Sequence, residues 1–266
     1  MMKMLFLQNQ PFLYFGVMSI SGFLKSKGIE TDVLIYTLEK NNDIFISKIK
    51  SIHPDLIGIS AMSTEHLWVN QIVDVIRDAG IETPVMVGGV HAIIYGREII
   101  KNKNIDFVCI GEGENTVYEV LVNLHDKKSL LDISGLLINY NDTIYSNDIK
   151  SPVDIENIIE DREVYYKHYP ALSNDELKQF VVSRGCPFNC NFCYNSQIKT
   201  TQKMRYKSTK NVLKELEFVK NNYELKSVFF ADDLFTANRK WIIEFLTIYT
   251  EKIGATFMCT TRLEII

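Results

Sequence analysis

The chain has 266 residues, of which 46% are hydrophobic and 23% are charged, so it is long enough for two modest domains that each bury a core. A formal net charge of −4, with no long run of like charges, gives no bulk attraction for nucleic acid or anionic lipid. The apolar runs are too interrupted for a membrane span, and the N-terminus is typical of a strand rather than a signal peptide, so we expect a cytoplasmic protein.

The first 140 residues alternate short apolar runs with amphipathic helical windows, which is the rhythm of a parallel α/β sheet. The runs are continuous, as in strands that are buried on both faces. The predicted strands are 3–8, 32–36, 55–60, 84–89 and 106–111, and one intervening helix places Leu67, Val69, Ile72, Val73 and Ile76 near helical spacing and ends at a C-cap, Gly80. We therefore predict a doubly wound, Rossmann-like domain over residues 1–140.

Small and polar residues follow three successive predicted strands, as "SAMSTE", "GGVHA" and "GEGEN". A doubly wound domain binds its ligand outside the carboxyl ends of its strands, at the point where the strand order reverses. Glycine permits close backbone approach there, and the N–H groups of the following helix suit an anionic group. The alternative is that these loops need glycine and serine only for tight turns.

Residues 141–177 are predicted to be a hairpin and linker. Residues 134–147 form two strand-like runs around Asn141 and Asp142, and Pro152 and Pro170 then break an aperiodic, acidic segment.

From residue 178 the strand–helix alternation resumes. We predict strands at 179–184, 226–232 and 255–261, a helix from about residue 208 with Ser208 as its N-cap, and a second helix over 238–253. Three such units form only the first half of a (β/α) barrel, which needs roughly 200 residues or more, and they leave an open sheet edge. We therefore expect the sequence to be truncated.

Three cysteines, Cys186, Cys190 and Cys193, lie close together with the spacing C-x3-C-x2-C. In a reducing compartment such a cluster favours metal binding or catalysis over disulfides. Pro187 and Asn189 favour a turn that can point the three sulfurs at one centre.

The missing fourth thiol separates two kinds of metal centre. Structural zinc needs four ligands, and the candidates are poor: His168 is distant in sequence, while Cys259 lies within a predicted strand, where a small core hydrophobe is expected. An iron–sulfur cubane on three thiolates leaves one iron open to a substrate or cofactor. The spacing alone leaves both possibilities open.

The residues around these cysteines resemble a known family. "RGCPFNCNFC", with Phe192 just before the third cysteine, resembles the cluster loop of radical S-adenosylmethionine enzymes. "RYKSTKNVLKELEFV" and "KSVFFADDLFTANRKW" resemble the first helix and second strand of the subgroup that carries an N-terminal cobalamin-binding domain. "PDLIGISAMST", "PVMVGGVHA" and "DFVCIGEGENTVYEVL" are similar to strand ends of that domain. The resemblance extends from about residue 3 to residue 266.

This resemblance implies a [4Fe–4S] cluster on Cys186, Cys190 and Cys193 whose open iron binds S-adenosylmethionine. Reductive cleavage would then give methionine and a 5′-deoxyadenosyl radical, with a flavodoxin or ferredoxin as electron donor and a small molecule or peptide as substrate. By position, Phe192 would lie beside the adenine, and Asp232 and Asp233 would contact the methionine end or the ribose. The alternative for the two aspartates is an acidic turn that caps the next helix. The resemblance assigns no catalytic residue.

The resemblance also implies cobalamin in the first domain, on a set of residues at the strand ends: Ser60, Met62, Gly88, Gly89, His91, Gly111 and Glu112. The loop "QNQPFLYFG" lacks the Asp-x-His-x-x-Gly that supplies a lower axial histidine, so any cobalamin would be bound without it. Glu112 and Glu114 are expected to order their loop through backbone N–H groups at the helix start. For His91 the alternative is a surface, hydrogen-bonding histidine.

Two reaction outcomes and one other class of protein follow. The first outcome is methyl transfer to an unactivated carbon, with two molecules of S-adenosylmethionine; the second is a cyclisation or rearrangement, as in tetrapyrrole biosynthesis. The alternative class is a non-catalytic cobalamin- or metal-binding module, including a zinc scaffold that recruits Cys259. A first domain that has lost cobalamin is a further possibility.

Overall fold

The computed structural model describes residues 1–38, 42–149, 151–198 and 203–265. The chain divides into two compact units, Met1–Val153 with Glu160–Tyr165, and Asp154–Ile159 with Tyr166–Ile266. Within the described ranges, no helix has the length and apolar character needed to cross a membrane.

The first unit is a sheet with flanking helices. Its strands are β1 (Lys3–Gln8), β2 (Glu30–Ile35), β3 (Leu56–Ser60), β4 (Val85–Gly88), β5 (Phe107–Cys109), β6 (Leu136–Tyr140) and β7 (Thr143–Ser146). Its helices are α1 (Phe15–Ser26), α2 (Asp43–Ile52), α3 (His66–Asp78), α4 (Val90–Ile99) and α5 (Gly113–Asp126), and a short α6 (Glu163–Tyr166) spans the division between the units.

The strand order is β2-β1-β3-β4-β5-β6-β7, parallel from β2 to β5 and antiparallel from β5 to β7. The inner parallel strands β1, β3 and β4 are nearly all buried, which explains their continuous apolar sequence, whereas β2 at the edge is only partly buried. The strand order reverses between β1 and β3, so the predicted doubly wound domain is confirmed. In such a domain the ligand crevice is expected at the carboxyl ends of the two strands where the order reverses.

The predicted hairpin is confirmed, but it belongs to the sheet. Asn141 and Asp142 have φ of 51° and 59°, as a tight turn with two left-handed residues requires. Strand β6 pairs with β5 through the buried Leu136 and Leu137. The first unit therefore continues to residue 153, beyond the predicted boundary at residue 140, because the edge of the parallel sheet is completed by this hairpin.

One of the five apolar residues noted at helical spacing in α3 does not face the core. Leu67 is 65% exposed, while the neighbouring Trp68 is buried and its indole N–H donates to the Tyr36 carbonyl at 3.1 Å. The other four predicted positions are buried. Gly80 has φ of 71° just beyond the end of α3, in the left-handed conformation that a helix terminus favours.

The second unit contains α7 (Pro170–Ser173), β8 (Leu177–Phe180), β9 (Ser183–Arg184), β10 (Arg205–Tyr206), α8 (Thr209–Asn222), β11 (Ser227–Phe230), α9 (Arg239–Lys252) and β12 (Thr256–Cys259). Strands β12, β11 and β8 form a parallel sheet in that order, and β9 pairs antiparallel with β10. Ser208 caps α8, since its hydroxyl accepts from the Asn211 N–H at 3.3 Å. The predicted strand 179–184 is thus two strands, interrupted before Ser183.

Strand β12 lies at the edge of the described sheet, with Thr256, Phe257 and Met258 exposed. On the other side, Phe230 of β11 is fully buried, with ring centroids 4.6 Å from Phe235 and 5.5 Å from Phe245. This aromatic core fixes β11 against α9, so the loop that follows β11 starts from a rigid position.

Candidate functional site

The ends of β3 and β4 approach each other closely. The Ala61 N–H donates to the Gly88 carbonyl at 3.0 Å, and the His91 N–H donates to the Ala61 carbonyl at 3.0 Å. Gly89 has φ of 86°, and a Cβ at this position would lie 2.8 Å from both the nitrogen and the oxygen of Ala61. The chain therefore needs glycine here for contact between the two loops and not only for a turn.

A buried carboxylate joins the loop after β1 to the loop after β3, at the point where the strand order reverses. Glu65 is 6% exposed and accepts from the Tyr14 hydroxyl at 2.9 Å and from the Met62 N–H at 2.8 Å. Burial raises the pKa of Tyr14, and the hydrogen bond to Glu65 raises it further, so the hydroxyl stays protonated. Sequence reasoning missed this contact, because Tyr14 and Glu65 belong to loops that only the sheet order brings together.

The loop after β1 is held by Gln8 and Tyr165. The Gln8 amide donates to the Gln10 carbonyl at 2.5 Å and the Phe12 carbonyl at 2.9 Å, and accepts from the buried Tyr165 hydroxyl at 2.6 Å. This is the loop that lacks an axial histidine, and its shape is set by these amide contacts.

His91, a predicted cobalamin contact, lies among polar and aromatic neighbours. Its Nδ1 is 3.3 Å from the Ser63 hydroxyl, and its ring lies 5.3 Å from Tyr95 and 6.1 Å from His66. Burial lowers the pKa of His91, and the charge of His66 lowers it further, so the imidazole is neutral at neutral pH. Met62, another predicted cobalamin contact, is 47% exposed in the loop after β3, next to Ser60 and Ala61.

Gly111 has φ of 90° and precedes two acidic residues that contact other parts of the unit. The Glu112 carboxylate accepts from the Val153 N–H at 2.8 Å, and Glu114, which is 1% exposed, accepts from the Ser19 hydroxyl at 2.5 Å. The prediction that these residues bond to the helix start is wrong for Glu112, whose side chain does not cap α5. The Glu112 carboxylate ties the loop to Val153, and the Glu114 carboxylate ties the first turn of α5 to α1.

The cysteine loop leaves β9 and turns tightly, with the Cys193 N–H donating to the Cys190 carbonyl at 3.0 Å. Cys186, Cys190 and Cys193 are all free thiols of intermediate exposure. Across the described part of the chain, no three side chains of His, Cys, Asp or Glu are gathered in a metal-holding arrangement, these thiols included. The donor set fits an iron–sulfur cluster by residue type and spacing, while the described loop conformation does not bring the three sulfurs together.

The two aspartates after β11 differ in environment. Asp232 is 2% exposed and accepts from the Val182 N–H at 3.1 Å and from the Ser183 N–H and hydroxyl at 2.5 Å. Asp233 is exposed and accepts from the Tyr194 hydroxyl at 3.2 Å. The Asp232 carboxylate therefore holds the connection between β8 and β9. This role differs from both roles considered from the sequence, a cofactor contact and a helix cap.

Phe192, the predicted adenine neighbour, is 94% exposed on the cysteine loop. Cys259, which we expected in the core, ends β12 and packs partly buried against the core of the second unit. Sequence reasoning did not single out Phe188, Tyr194 or Arg262, which also contact this loop or the residues next to it. Only the aromatic and charged character of these side chains could have drawn notice to them.

Comparison with known families identifies the type of domain in each unit. The family model for the B12 binding domain matches residues 12–121, and that for the radical SAM superfamily matches residues 180–265. The chain therefore combines a B12-binding domain with a radical SAM domain. It belongs to the radical SAM enzymes that carry an N-terminal cobalamin-binding domain.

Individual relatives agree with this assignment. The chain is 30% identical over 224 residues to an uncharacterized methyltransferase of Pyrococcus horikoshii, covering 80% of this chain and 47% of that protein. It is 25% identical over 239 residues to the anaerobic magnesium-protoporphyrin IX monomethyl ester cyclase of Rubrivivax gelatinosus, covering 85% and 42%. It thus spans less than half the length of either relative.

A solved structure has the same fold. The radical S-adenosylmethionine methyltransferase TsrM of Kitasatospora setae superimposes with a TM-score of 0.77 at 16% identity, covering 95% of this chain and 51% of that one.

The buried carboxylate of Asp232 predicts a pH dependence of stability. Burial raises the pKa of Asp232 from 3.8 to about 6, although hydrogen bonds from Ser183 and Val182 oppose the shift. A carboxyl group with a raised pKa in the folded state stabilises fully below pH 3.8, and this contribution is lost as the pH rises through 6. Relative to Asp232→Asn, the wild type should therefore lose up to about 3 kcal/mol of unfolding free energy between these limits.

Urea denaturation of the iron-free chain at several pH values measures this difference. The chain has two tryptophans, so a Trp68→Phe background makes Trp241 fluorescence report the second unit. Asp233→Asn, at the exposed neighbour, should follow the wild-type profile. Parallel profiles for the wild type and Asp232→Asn would show that Asp232 does not titrate in this range.

Proposed function

We propose that this chain is the cofactor-binding part of a cobalamin-dependent radical SAM enzyme that transfers a methyl group to an unactivated carbon. The observation that carries the proposal is the three-thiol loop at the carboxyl end of the parallel sheet, preceded by a doubly wound domain with a small-residue rim. Methyl transfer is preferred because one relative is described as a methyltransferase and a structure with the same fold is a methyltransferase.

In the second unit, Cys186, Cys190 and Cys193 would hold the [4Fe–4S] cluster. Such a cluster, once bound and reduced, supplies the electron that cleaves S-adenosylmethionine to methionine and a 5′-deoxyadenosyl radical. The exposed ring of Phe192 can lie against the adenine, and the exposed Asp233 carboxylate suits an ammonium or a ribose hydroxyl.

Asp232 would contribute differently. Its oxygens already accept from Val182 and Ser183, so we propose that it positions the start of the cysteine loop and does not bind the cofactor as its first role.

In the first unit, we propose that cobalamin binds at the rim of β3, β4 and β5, where it would serve as a methyl carrier. The proposed contacts are the residues predicted from the sequence: Ser60, Met62, Gly88, Gly89, His91, Gly111 and Glu112. Gly89 lets the loops after β3 and β4 approach each other, and the loop after β1 offers the Gln8 amide network where related domains carry a histidine.

The proposal includes the surroundings of the enzyme. A flavodoxin- or ferredoxin-type donor would deliver the electron to the cluster, and the substrate would be a small molecule or a peptide. The free, partly exposed thiols of the cysteine loop require a reducing compartment, so we place the protein in the cytoplasm.

A cyclisation is the second candidate. The relative of Rubrivivax gelatinosus, similar over 85% of this chain, is a cyclase of magnesium-protoporphyrin IX monomethyl ester. Both relatives match most of this chain, 80% of it for the methyltransferase and 85% for the cyclase, so similarity alone does not separate the two reactions.

Cluster binding is tested by anaerobic reconstitution with iron and sulfide. The wild type should gain the broad visible absorbance of a [4Fe–4S] cluster, with matching iron and labile sulfide. Cys190→Ala should lose all three signals, because a ligand is missing, whereas Cys259→Ala should keep them, because that thiol packs against the core. One zinc per chain, with no iron or labile sulfide, would favour the non-catalytic metal-binding alternative.

Cobalamin binding is tested by titration with hydroxocobalamin, followed by the absorbance of the bound form. Gly89→Ala should weaken binding at least about tenfold, since its Cβ would force Ala61 away. Gly80→Ala is the matched control: this glycine also has a positive φ, of 71°, but no atom lies within 4 Å of its Cβ position. Equal affinity for Gly89→Ala and the wild type would exclude the proposed rim.

The two reactions are separated by their products. After loading with both cofactors, the chain would be incubated anaerobically with S-adenosylmethionine, reductant and a small-molecule extract as the substrate pool. Methyl transfer should give 5′-deoxyadenosine and S-adenosylhomocysteine in equal amounts, because one cosubstrate makes the radical and a second supplies the methyl group. Cyclisation should give 5′-deoxyadenosine alone. Cys190→Ala should give no 5′-deoxyadenosine.

A further inference from the structure

Arg262, which follows β12, contacts the cysteine loop. Its Nη1 lies 3.2 Å from the Sγ of Cys190, a distance at which a charged N–H donates to sulfur. The two residues are far apart in sequence, and β11 separates their strands in the sheet, so the contact depends on the loops converging at the carboxyl ends. Cys190, one of the three predicted ligands, therefore has a cationic partner.

Three different contacts hold the Arg262 guanidinium. Its centre lies 4.0 Å from the ring centroid of Phe188, in the same cysteine loop, and its other edge donates to Glu264, with Nη2 to Oε1 at 2.9 Å. Only a planar group with several donors can present a face to an aromatic ring and two edges to sulfur and carboxylate. The geometry thus fixes the direction in which the guanidinium donates.

A cationic donor next to a ligand sulfur has a defined effect on an iron–sulfur centre. One-electron reduction adds negative charge, part of which resides on the sulfurs. Hydrogen bonds to the sulfurs and nearby positive charge stabilise the reduced form and raise the reduction potential. The Arg262 side chain is 34% exposed. Solvent and salt therefore screen its interaction with the Cys190 sulfur less than they would screen a fully solvated pair.

We propose that Arg262 is a positioning residue that keeps its contact with Cys190 when the three thiols gather around a cluster, and that it raises the reduction potential of that cluster, with Phe188 fixing the guanidinium in place. The inference rests on the proposed function, because it presupposes a [4Fe–4S] cluster on the three cysteines. In the reduction it concerns, one electron from an external one-electron donor converts the 2+ cluster to the 1+ state, and no bond is made or broken.

An anaerobic redox titration of the reconstituted chain with dithionite, monitored by the electron paramagnetic resonance signal of the reduced cluster, tests the proposal. At the potential where half of the wild type is reduced, Arg262→Gln should show a ratio of reduced to oxidised cluster about tenfold lower. For a one-electron couple this corresponds to a potential about 59 mV more negative. Phe188→Leu should shift the potential in the same direction.

The matched control is Arg239→Gln, which removes the same charge from an exposed position on α9 and should leave the potential unchanged. An Arg262→Gln protein with full cluster content and the wild-type potential would overturn the proposal. If that variant does not load iron, Phe188→Leu decides: a wild-type potential overturns the proposal, and a more negative one supports it. A wild type that takes up no cluster would instead refute the proposed function.

Discussion

The Asp232 carboxylate is the contact on which the second unit depends. It is nearly inaccessible to water, and it accepts from Val182 and Ser183 at the point where the first strand of the sheet gives way to the cysteine loop. Because Asp232 itself follows the second strand, one side chain couples the exits of two neighbouring strands. A carboxylate buried with so many donors is costly to move, so the root of the cysteine loop has a fixed position while its tip, at Phe192, is exposed.

The first unit also has a buried carboxylate that joins two loops, at the point where its strand order reverses. Glu65 joins the loop after β1 to the loop after β3 through Tyr14 and Met62, as Asp232 joins the loops of the second unit. Parallel strands make this arrangement possible, since all their carboxyl ends lie at one edge of the sheet and the loops there are neighbours in space. In both units the acidic side chain is buried and holds together the loops at this edge of the sheet.

Much of the fold could be predicted from the sequence, because its signals are local. Continuous apolar runs gave the buried strands, Asn141 and Asp142 gave the turn of the hairpin, and Ser208 gave the start of α8. The errors lie where local signals are ambiguous. Leu67 and Trp68 are adjacent and both apolar, so helical spacing alone did not show which one faces the core, and the hairpin could be assigned to the sheet only through its pairing with β5.

The candidate site divides in the same way. The sequence by itself determined the three-thiol loop and the small-residue rim, because spacing along one loop decides which sulfurs can share a cluster and glycine decides how closely backbones approach. Only the tertiary structure decided that Asp232 is buried beneath the loop, that Glu65 meets Tyr14, and that Arg262 donates to Cys190. Those contacts join residues that follow different strands. The order in which the strands pair depends on the burial of the whole sheet, so no single segment of the sequence determines it.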